Sequence, residues 1–204
     1  WPRASIYVQV TRGVAKRDHA FPIGVTPTVF AVAQPWPPIP AEALSAGVSA
    51  VTHADERWLH CDIKSVSLLG NVLARQISAD HGAVETIMFR DGWLTEASSS
   101  NVWIAHEGAL LGPPRSEQIL EGIRVELLRE LCEDCGIAYN LRPIPEADVH
   151  AADEVLLSSA TKEVLPVTKI DGELVGHGAM RGKPGPVYAR LHEAYQRAKL
   201  TMSI

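Results

Sequence analysis

His60-Cys61-Asp62-Ile63-Lys64-Ser65-Val66-Ser67-Leu68-Leu69-Gly70-Asn71 joins two periodicities. Up to Lys64, the residues Trp58, His60, Asp62 and Lys64 alternate as they would along a strand. From Leu68, the residues Leu68, Leu69, Val72, Leu73 and Ile77 recur with helical spacing. That spacing predicts a helix that buries this apolar face, with Gly82 placed to end it. Lys64 then stands at a rigid junction, partly shielded from water. Shielding lowers the pKa of an ammonium group, and a neutral amine attacks carbonyl carbon. On this segment alone, a solvated surface lysine ahead of a helix reads the same way.

A second segment narrows the choice. Thr95-Glu96-Ala97-Ser98-Ser99-Ser100-Asn101-Val102 is small and polar between two apolar runs, which predicts a loop entering a strand. A carboxylate such as Glu96 can keep a pyridine nitrogen protonated, and hydroxyls can line a polar ligand. A lysine for a Schiff base and a carboxylate for the ring nitrogen are the protein's share of pyridoxal phosphate chemistry.

Five motifs in order carry a family resemblance: VTRGVAKRDHAFP (10–22), CDIKSVSLLGN (61–71), TEASSSNV (95–102), ILEGIR (119–124) and LLSSATKEVLPV (156–167). Together they resemble the fold-type IV, or class IV, pyridoxal-phosphate-dependent aminotransferases, and within these the D-amino acid transaminases. The resemblance implies an α+β fold. A small N-terminal α/β domain, partly missing from this sequence, would precede a larger C-terminal α/β pseudo-barrel domain. Residues 1–34 would be the remainder of the small domain, 35–40 a proline-rich linker and 41–204 the cofactor-binding domain. Four prolines at 35, 37, 38 and 40 fix φ and exclude a helix there. The first residue is Trp1 rather than methionine, and members of the resembled family carry roughly eighty residues more before this point, more than half a small domain.

The resemblance also assigns roles. Lys64 would hold pyridoxal 5'-phosphate as a Schiff base and move the proton at the substrate Cα. Glu96 would keep the ring nitrogen protonated and Leu120 would pack near the ring. Ile123 and Arg124 would bind the phosphate through their amides, with Ser159 and Ala160 bordering it. Tyr7, Arg17 and His19 would hold the substrate carboxylate, facing the active site of the other subunit of a homodimer, and Thr161 would border the substrate. The reaction implied is transamination of a D-amino acid such as D-alanine with a 2-oxo acid such as 2-oxoglutarate. A branched-chain L-amino acid transaminase and an aminodeoxychorismate lyase share the lysine, glutamate and phosphate motifs. A truncated, non-catalytic homologue is the alternative outside enzymes. Resembled members carry threonines where this chain has Arg124 and Ala160, and an arginine from the N-terminal part on the phosphate. The Arg124 side chain is expected to supply that charge.

The residues themselves support some of these roles independently. Arg12, Lys16, Arg17 and His19 crowd one loop, which is either a solvated basic turn or a carboxylate trap. Gly122 ahead of a helix beginning at ILEGIR frees amides for an anion, or is a plain turn residue. Ser158–Thr161 at a strand end can hold phosphate oxygens, or bond its own backbone.

Composition sets the outer limits. The chain has 204 residues, 46% hydrophobic, and a formal net charge of −5, enough for one sizeable core or two small domains. That charge gives no case for nucleic acid or an anionic membrane surface. No run is long and apolar enough to predict a spanning helix. Three cysteines cannot all pair, which favours a reduced, cytoplasmic setting. Cys132 and Cys135 have C-x-x-C spacing but lie in a helical pattern without a second pair, so they read as core and no metal site is predicted.

Overall fold

The computed structural model describes residue 1 and residues 3–201. The chain divides into two compact units, Trp1–Ile39 and Pro40–Ile204.

The smaller unit is a hairpin. Strand β1 (Ala4–Thr11) and strand β2 (Thr28–Pro35) pair antiparallel, from Ala4 opposite Pro35 to Thr11 opposite Thr28. The β-branched residues Ile6, Val8, Val10 and Val29 favour this extended pairing, yet all four are exposed. Gln34 and Pro35 are both strand residues, so the strand runs one residue into the expected linker, and the Trp36 amide donates to the Arg3 carbonyl at 3.1 Å. Gly13 opens the long connection at φ +114, where a Cβ would stand 2.1 Å from the Thr26 carbonyl oxygen, so no other residue fits.

In the larger unit, the short helix α1 (Ala41–Ser45) leads into strand β3 (Val48–Ala54). Helix α2 (Leu69–Asp80) and strands β4 (Glu85–Arg90), β5 (Trp93–Ala97), β6 (Asn101–His106) and β7 (Ala109–Gly112) follow. Helix α3 (Arg124–Cys135) then precedes strand β8 (Tyr139–Leu141) and the short helix α4 (Glu146–His150). Strands β9 (Glu154–Ser159), β10 (Glu163–Ile170) and β11 (Glu173–Leu174) come before the terminal helix α5 (Pro186–Thr201).

These strands form one mixed sheet in the order β5-β4-β3-β10-β9-β6-β7-β8, with β11 paired to β10. The pairs β3–β4, β3–β10 and β7–β8 are parallel and the others antiparallel. The sheet curls into the half-barrel that the α+β expectation requires. Asp91-Gly92, Glu107-Gly108 and Asp171-Gly172 close three hairpins with positive φ at both residues, the turn geometry that matches strand twist.

The main core lies where α3 and α5 cover β6 and β9. Leu128, Leu131 and Cys132 from α3 meet Leu191 and Tyr195 from α5 over Trp103 and Leu156. Burying each large apolar side chain there contributes about 1.5–3 kcal/mol. Gly136 ends α3 in the left-handed conformation, as its place after the apolar pattern predicts. Burial pushes the Cys132 thiol up to about 12, so it is inert core and the C-x-x-C spacing is a consequence of helical packing.

Two expectations around Lys64 are corrected. The alternation of Trp58, His60, Asp62 and Lys64 does not mark a strand: residues 55–68 are turns and loop between β3 and α2. Helix α2 does form, but it buries the opposite face. Ala74 and Ser78 point inward, while Leu69, Val72 and Leu73 are 71%, 59% and 58% exposed. The reason is close packing. A Cβ on Gly70 would lie 2.8 Å from Arg57 Cγ, so the small residues of α2 must face the body of the unit.

Candidate active site

The ends of several sheet elements surround one large cavity of about 930 Å³. It collects Lys64, Glu96, Leu120, Ile123, Ser159, Ala160 and Thr161, all from the larger unit. Lys64, from the loop after β3, and Glu96, from β5, thus reach one space, which no local pattern reveals.

Lys64 is exposed in the loop ahead of α2, several residues short of the helix, rather than shielded at its start. The loop is nevertheless tied down. The Cys61 amide donates to the Glu117 carbonyl at 2.7 Å, Ile63 N–H to the His60 carbonyl at 3.1 Å, and Ser67 N–H to Ser65 Oγ at 3.2 Å. The first of these bonds holds the segment carrying Lys64 against the 113–123 segment, part of which forms another stretch of the cavity wall.

Glu96 is the buried acid of the site, at the end of β5 rather than in the expected loop. Arg57 Nη1 donates to its Oε1, the Leu120 amide donates to Oε2 at 3.1 Å, and Asn101 Nδ2 lies 3.4 Å from Oε2. Burial pushes its carboxyl up to about 7, against the pull of Arg57 and the Leu120 amide. A group poised there can take or give a proton near neutral pH.

Sequence reading missed the support beneath Glu96. Arg57 Nε and Nη2 donate to Asp55 at 2.9 and 2.8 Å, Arg90 Nη2 reaches Asp55 at 3.2 Å, and Thr95 Oγ1 donates to Asp55 at 2.8 Å. Burial opposes the charge on Asp55, yet Arg57 and Thr95 keep its carboxyl below the usual range. The available signal was a pair of charged residues, Asp55 and Arg57, at alternating positions just before Trp58.

The far end of the cavity suits an anion. Among the described residues, no side chain caps the start of α3; the Val125 amide donates to the Gly122 carbonyl at 3.0 Å, which leaves the Ile123 and Arg124 N–H groups to face an anion. A Cβ on Gly122 would stand 2.1 Å from Asn101 Oδ1, so a larger residue there would push aside the Asn101 side chain that bonds Glu96 and the Leu120 carbonyl. Ser159 Oγ lies 3.4 Å from Thr161 Oγ1 and accepts from the Lys162 amide at 3.1 Å. Arg124 does not line the cavity. Its guanidinium carbon lies 5.2 Å from the Tyr195 ring centroid, so the side chain is turned toward α5. What remains to Arg124 is its backbone N–H at the first position of α3.

Tyr7, Arg17 and His19 belong to the hairpin unit. Arg17 and His19 are exposed on the connection between β1 and β2, where Asp18 Oδ1 accepts from the His19 amide at 2.6 Å. Tyr7 Oη donates to Gln9 Oε1 at 2.8 Å. Among the described residues, no cluster of three or more His, Cys, Asp or Glu could hold a metal ion.

A reachable lysine, a buried carboxylate near pKa 7 and an uncapped helix start around one cavity fit pyridoxal phosphate, and define a site of that cofactor class. Comparison with known proteins agrees. The family described as amino-transferase class IV matches residues 1–170, and the chain belongs to it. That family uses pyridoxal phosphate.

The chain is 41% identical over 196 residues to a D-alanine aminotransferase of Bacillus licheniformis, covering 96% of this chain and 68% of the relative. It is 42% identical over 193 residues to one from Staphylococcus haemolyticus, covering 94% and 67%. Among solved structures, the branched-chain amino acid aminotransferase of Escherichia coli aligns with TM-score 0.83 at 26% identity, over 95% of this chain and 65% of that one. The branched-chain amino acid aminotransferase of Thermoproteus uzoniensis, solved with norvaline, aligns with TM-score 0.80 at 25% identity, over 96% and 65%. The chain thus spans about two thirds of the length of its relatives.

Proposed function

We propose that this chain carries the cofactor-holding part of an aminotransferase that moves the amino group of a D-amino acid, such as D-alanine, to a 2-oxo acid, such as 2-oxoglutarate. The observation that carries the reading is the sharing of one cavity by Lys64 and Glu96. When bound, pyridoxal phosphate supplies an electron-accepting ring. Lys64 anchors the cofactor and, once released, its amine takes and returns the proton at the substrate Cα. Glu96 holds a proton at the ring nitrogen. Leu120 packs beside the ring, and the amides of Ile123 and Arg124 bind the phosphate with Ser159 and the Ala160 backbone. Thr161 borders the substrate.

Tyr7, Arg17 and His19 are assigned the substrate carboxylate, contributed by a second copy of the chain in a homodimer with shared sites. A guanidinium with a neighbouring imidazole can grip a carboxylate and so choose the face of Cα turned toward Lys64. The free thiols Cys61, Cys132 and Cys135 suit a cytoplasmic setting. The D-alanine aminotransferases at about 40% identity favour the D-amino acid reading. The branched-chain enzymes among the structural neighbours favour an L-amino acid substrate as the second reading. Steady-state assays of the full-length protein with D-alanine and with L-leucine, each against 2-oxoglutarate, separate the two. Turnover of D-alanine supports the first, and turnover of L-leucine alone overturns it.

A further inference from the structure

Glu85 and Lys162, far apart in sequence, form an ion pair beside the cavity, with the Glu85 side chain fully buried and that of Lys162 20% exposed. Glu85 in β4 is fully buried, and donors surround both its oxygens. Ser98 Oγ and the Ser99 amide, the latter at 3.0 Å, donate to Oε1. Ser99 Oγ at 2.9 Å, Ser100 Oγ at 3.1 Å and Lys162 Nζ at 2.6 Å donate to Oε2. Lys162 Nζ also donates to Ser99 Oγ at 2.8 Å and Ser100 Oγ at 3.0 Å. Three acceptors thus lie within reach of its amine, which ties Lys162 to Glu85 and to two serines at once.

The pair joins two walls. Residues 98–100 and 158–161 line the cavity, while Glu85 and Lys162 do not. Lys162 directly follows Thr161, and its own amide donates to Ser159 Oγ. An ion pair to a carboxylate as buried as Glu85 is a poor device for stability alone, because desolvating the acid offsets much of the attraction. What it can fix is geometry.

We propose that Lys162 is a positioning residue: by gripping Glu85 and the serines of 98–100, it fixes the 159–161 turn against the 98–100 stretch just beyond the end of the β6–β9 ladder, where Asn101 pairs Ser158, and so the fit of the cavity around the cofactor phosphate. The inference rests on the pyridoxal phosphate reading above, with 159–161 at the phosphate end.

The test titrates the full-length apo-protein with pyridoxal phosphate and with pyridoxal, which lacks the phosphate. Lys162→Met leaves Glu85 buried without its cation and so also threatens the fold. Lys162→Met combined with Glu85→Gln removes both charges, keeps the serines bonded to an amide, and frees the 159–161 turn from the 98–100 stretch beyond the β6–β9 ladder. In the double variant we expect a melting temperature close to wild type but a preference for pyridoxal phosphate over pyridoxal reduced about tenfold, the size of effect that outer supports of a ligand set carry. A wild-type preference in the double variant overturns the inference, as does an equal loss of affinity for both ligands. A wild-type protein that does not prefer pyridoxal phosphate overturns the underlying reading instead, and this inference with it.

Discussion

Arg57 serves Glu96 and Asp55 at once: one terminal nitrogen bonds the Glu96 carboxylate, and the other two guanidinium nitrogens bond Asp55. The side chains of Arg57, Asp55 and Glu96 are 3%, 0% and 7% exposed, so solvent screens none of these charges. Arg90, also bonded to Asp55, brings the cluster to two cations and two acids. Removing Arg57 strands two buried carboxylates beside one guanidinium. Arg57→Met is therefore expected to cost about 3–5 kcal/mol in denaturant unfolding, the range for breaking a buried pair from one side. A loss within the range of ordinary surface substitutions would contradict this picture.

Glu96 gives the apo-protein a pH signature. Burial raises its carboxyl from 4.5 to about 7, so between those values the folded chain holds a proton that the unfolded chain has released. Its contribution to stability is present below pH 4.5 and is lost as pH rises through 7. Glu154, also raised by burial, acts in the same direction. At Glu85 burial is outweighed by Lys162 and the serines, so its carboxyl is lowered and its effect falls below that window. Comparison with Glu96→Gln isolates the one group. Thermal or urea unfolding from pH 4.5 to 7 should lose on the order of 1–3 kcal/mol more in the wild type than in the variant.

Ala160 lines the cavity with a methyl group where resembled enzymes place a threonine. Ala160→Thr should add one hydroxyl to the phosphate cup. A net hydrogen bond contributes about 1 kcal/mol, so pyridoxal phosphate should bind roughly fivefold tighter in a spectroscopic titration. Weaker binding would mean that the 159–161 turn does not face the phosphate.

The outer face of α2 is where the proposed homodimer can be tested. Leu69 and Leu73 are exposed there and do not line the cavity, whereas Val72 does, and exposed apolar side chains of this kind mark contact surfaces. Leu69→Glu with Leu73→Lys should shift the protein from dimer to monomer in sedimentation, with little change in the unfolding of each chain. A wild-type monomer, or an unaffected dimer, removes α2 from the interface.

Much of the site was legible in the chain because its chemistry sits in compact motifs. Lys64 and Glu96 lie in short polar stretches whose residue types are unusual between apolar runs, whereas Leu120, Ile123 and the 159–161 turn were assigned through the family resemblance; the fold brings all of them to one cavity. The hairpins were legible for the same local reason, since Asp91-Gly92 and Asp171-Gly172 announce their turns. What escaped depends on distance. The bonds of Arg57 to Glu96, and of Lys162 to Glu85, join segments whose adjacency only the sheet order creates. Glu85, an acid opening a mostly apolar strand, was the visible trace of the second pair. Periodicity found α2 but put the wrong face inward, because an apolar stripe does not reveal that close packing at Gly70 requires the small residues to face the body, nor that Leu68 and Val72 border the cavity. Strand β8 and helix α4 were missed because three and five residues carry too little pattern.

The most direct measurement loads the full-length protein with pyridoxal phosphate, reduces it with borohydride to fix any lysine-linked cofactor, and maps the modified peptide. The predicted result is a single pyridoxyl label on Lys64, absent in Lys64→Ala. A label on Lys162 or another lysine, or no label on a protein shown to bind the cofactor, would contradict it.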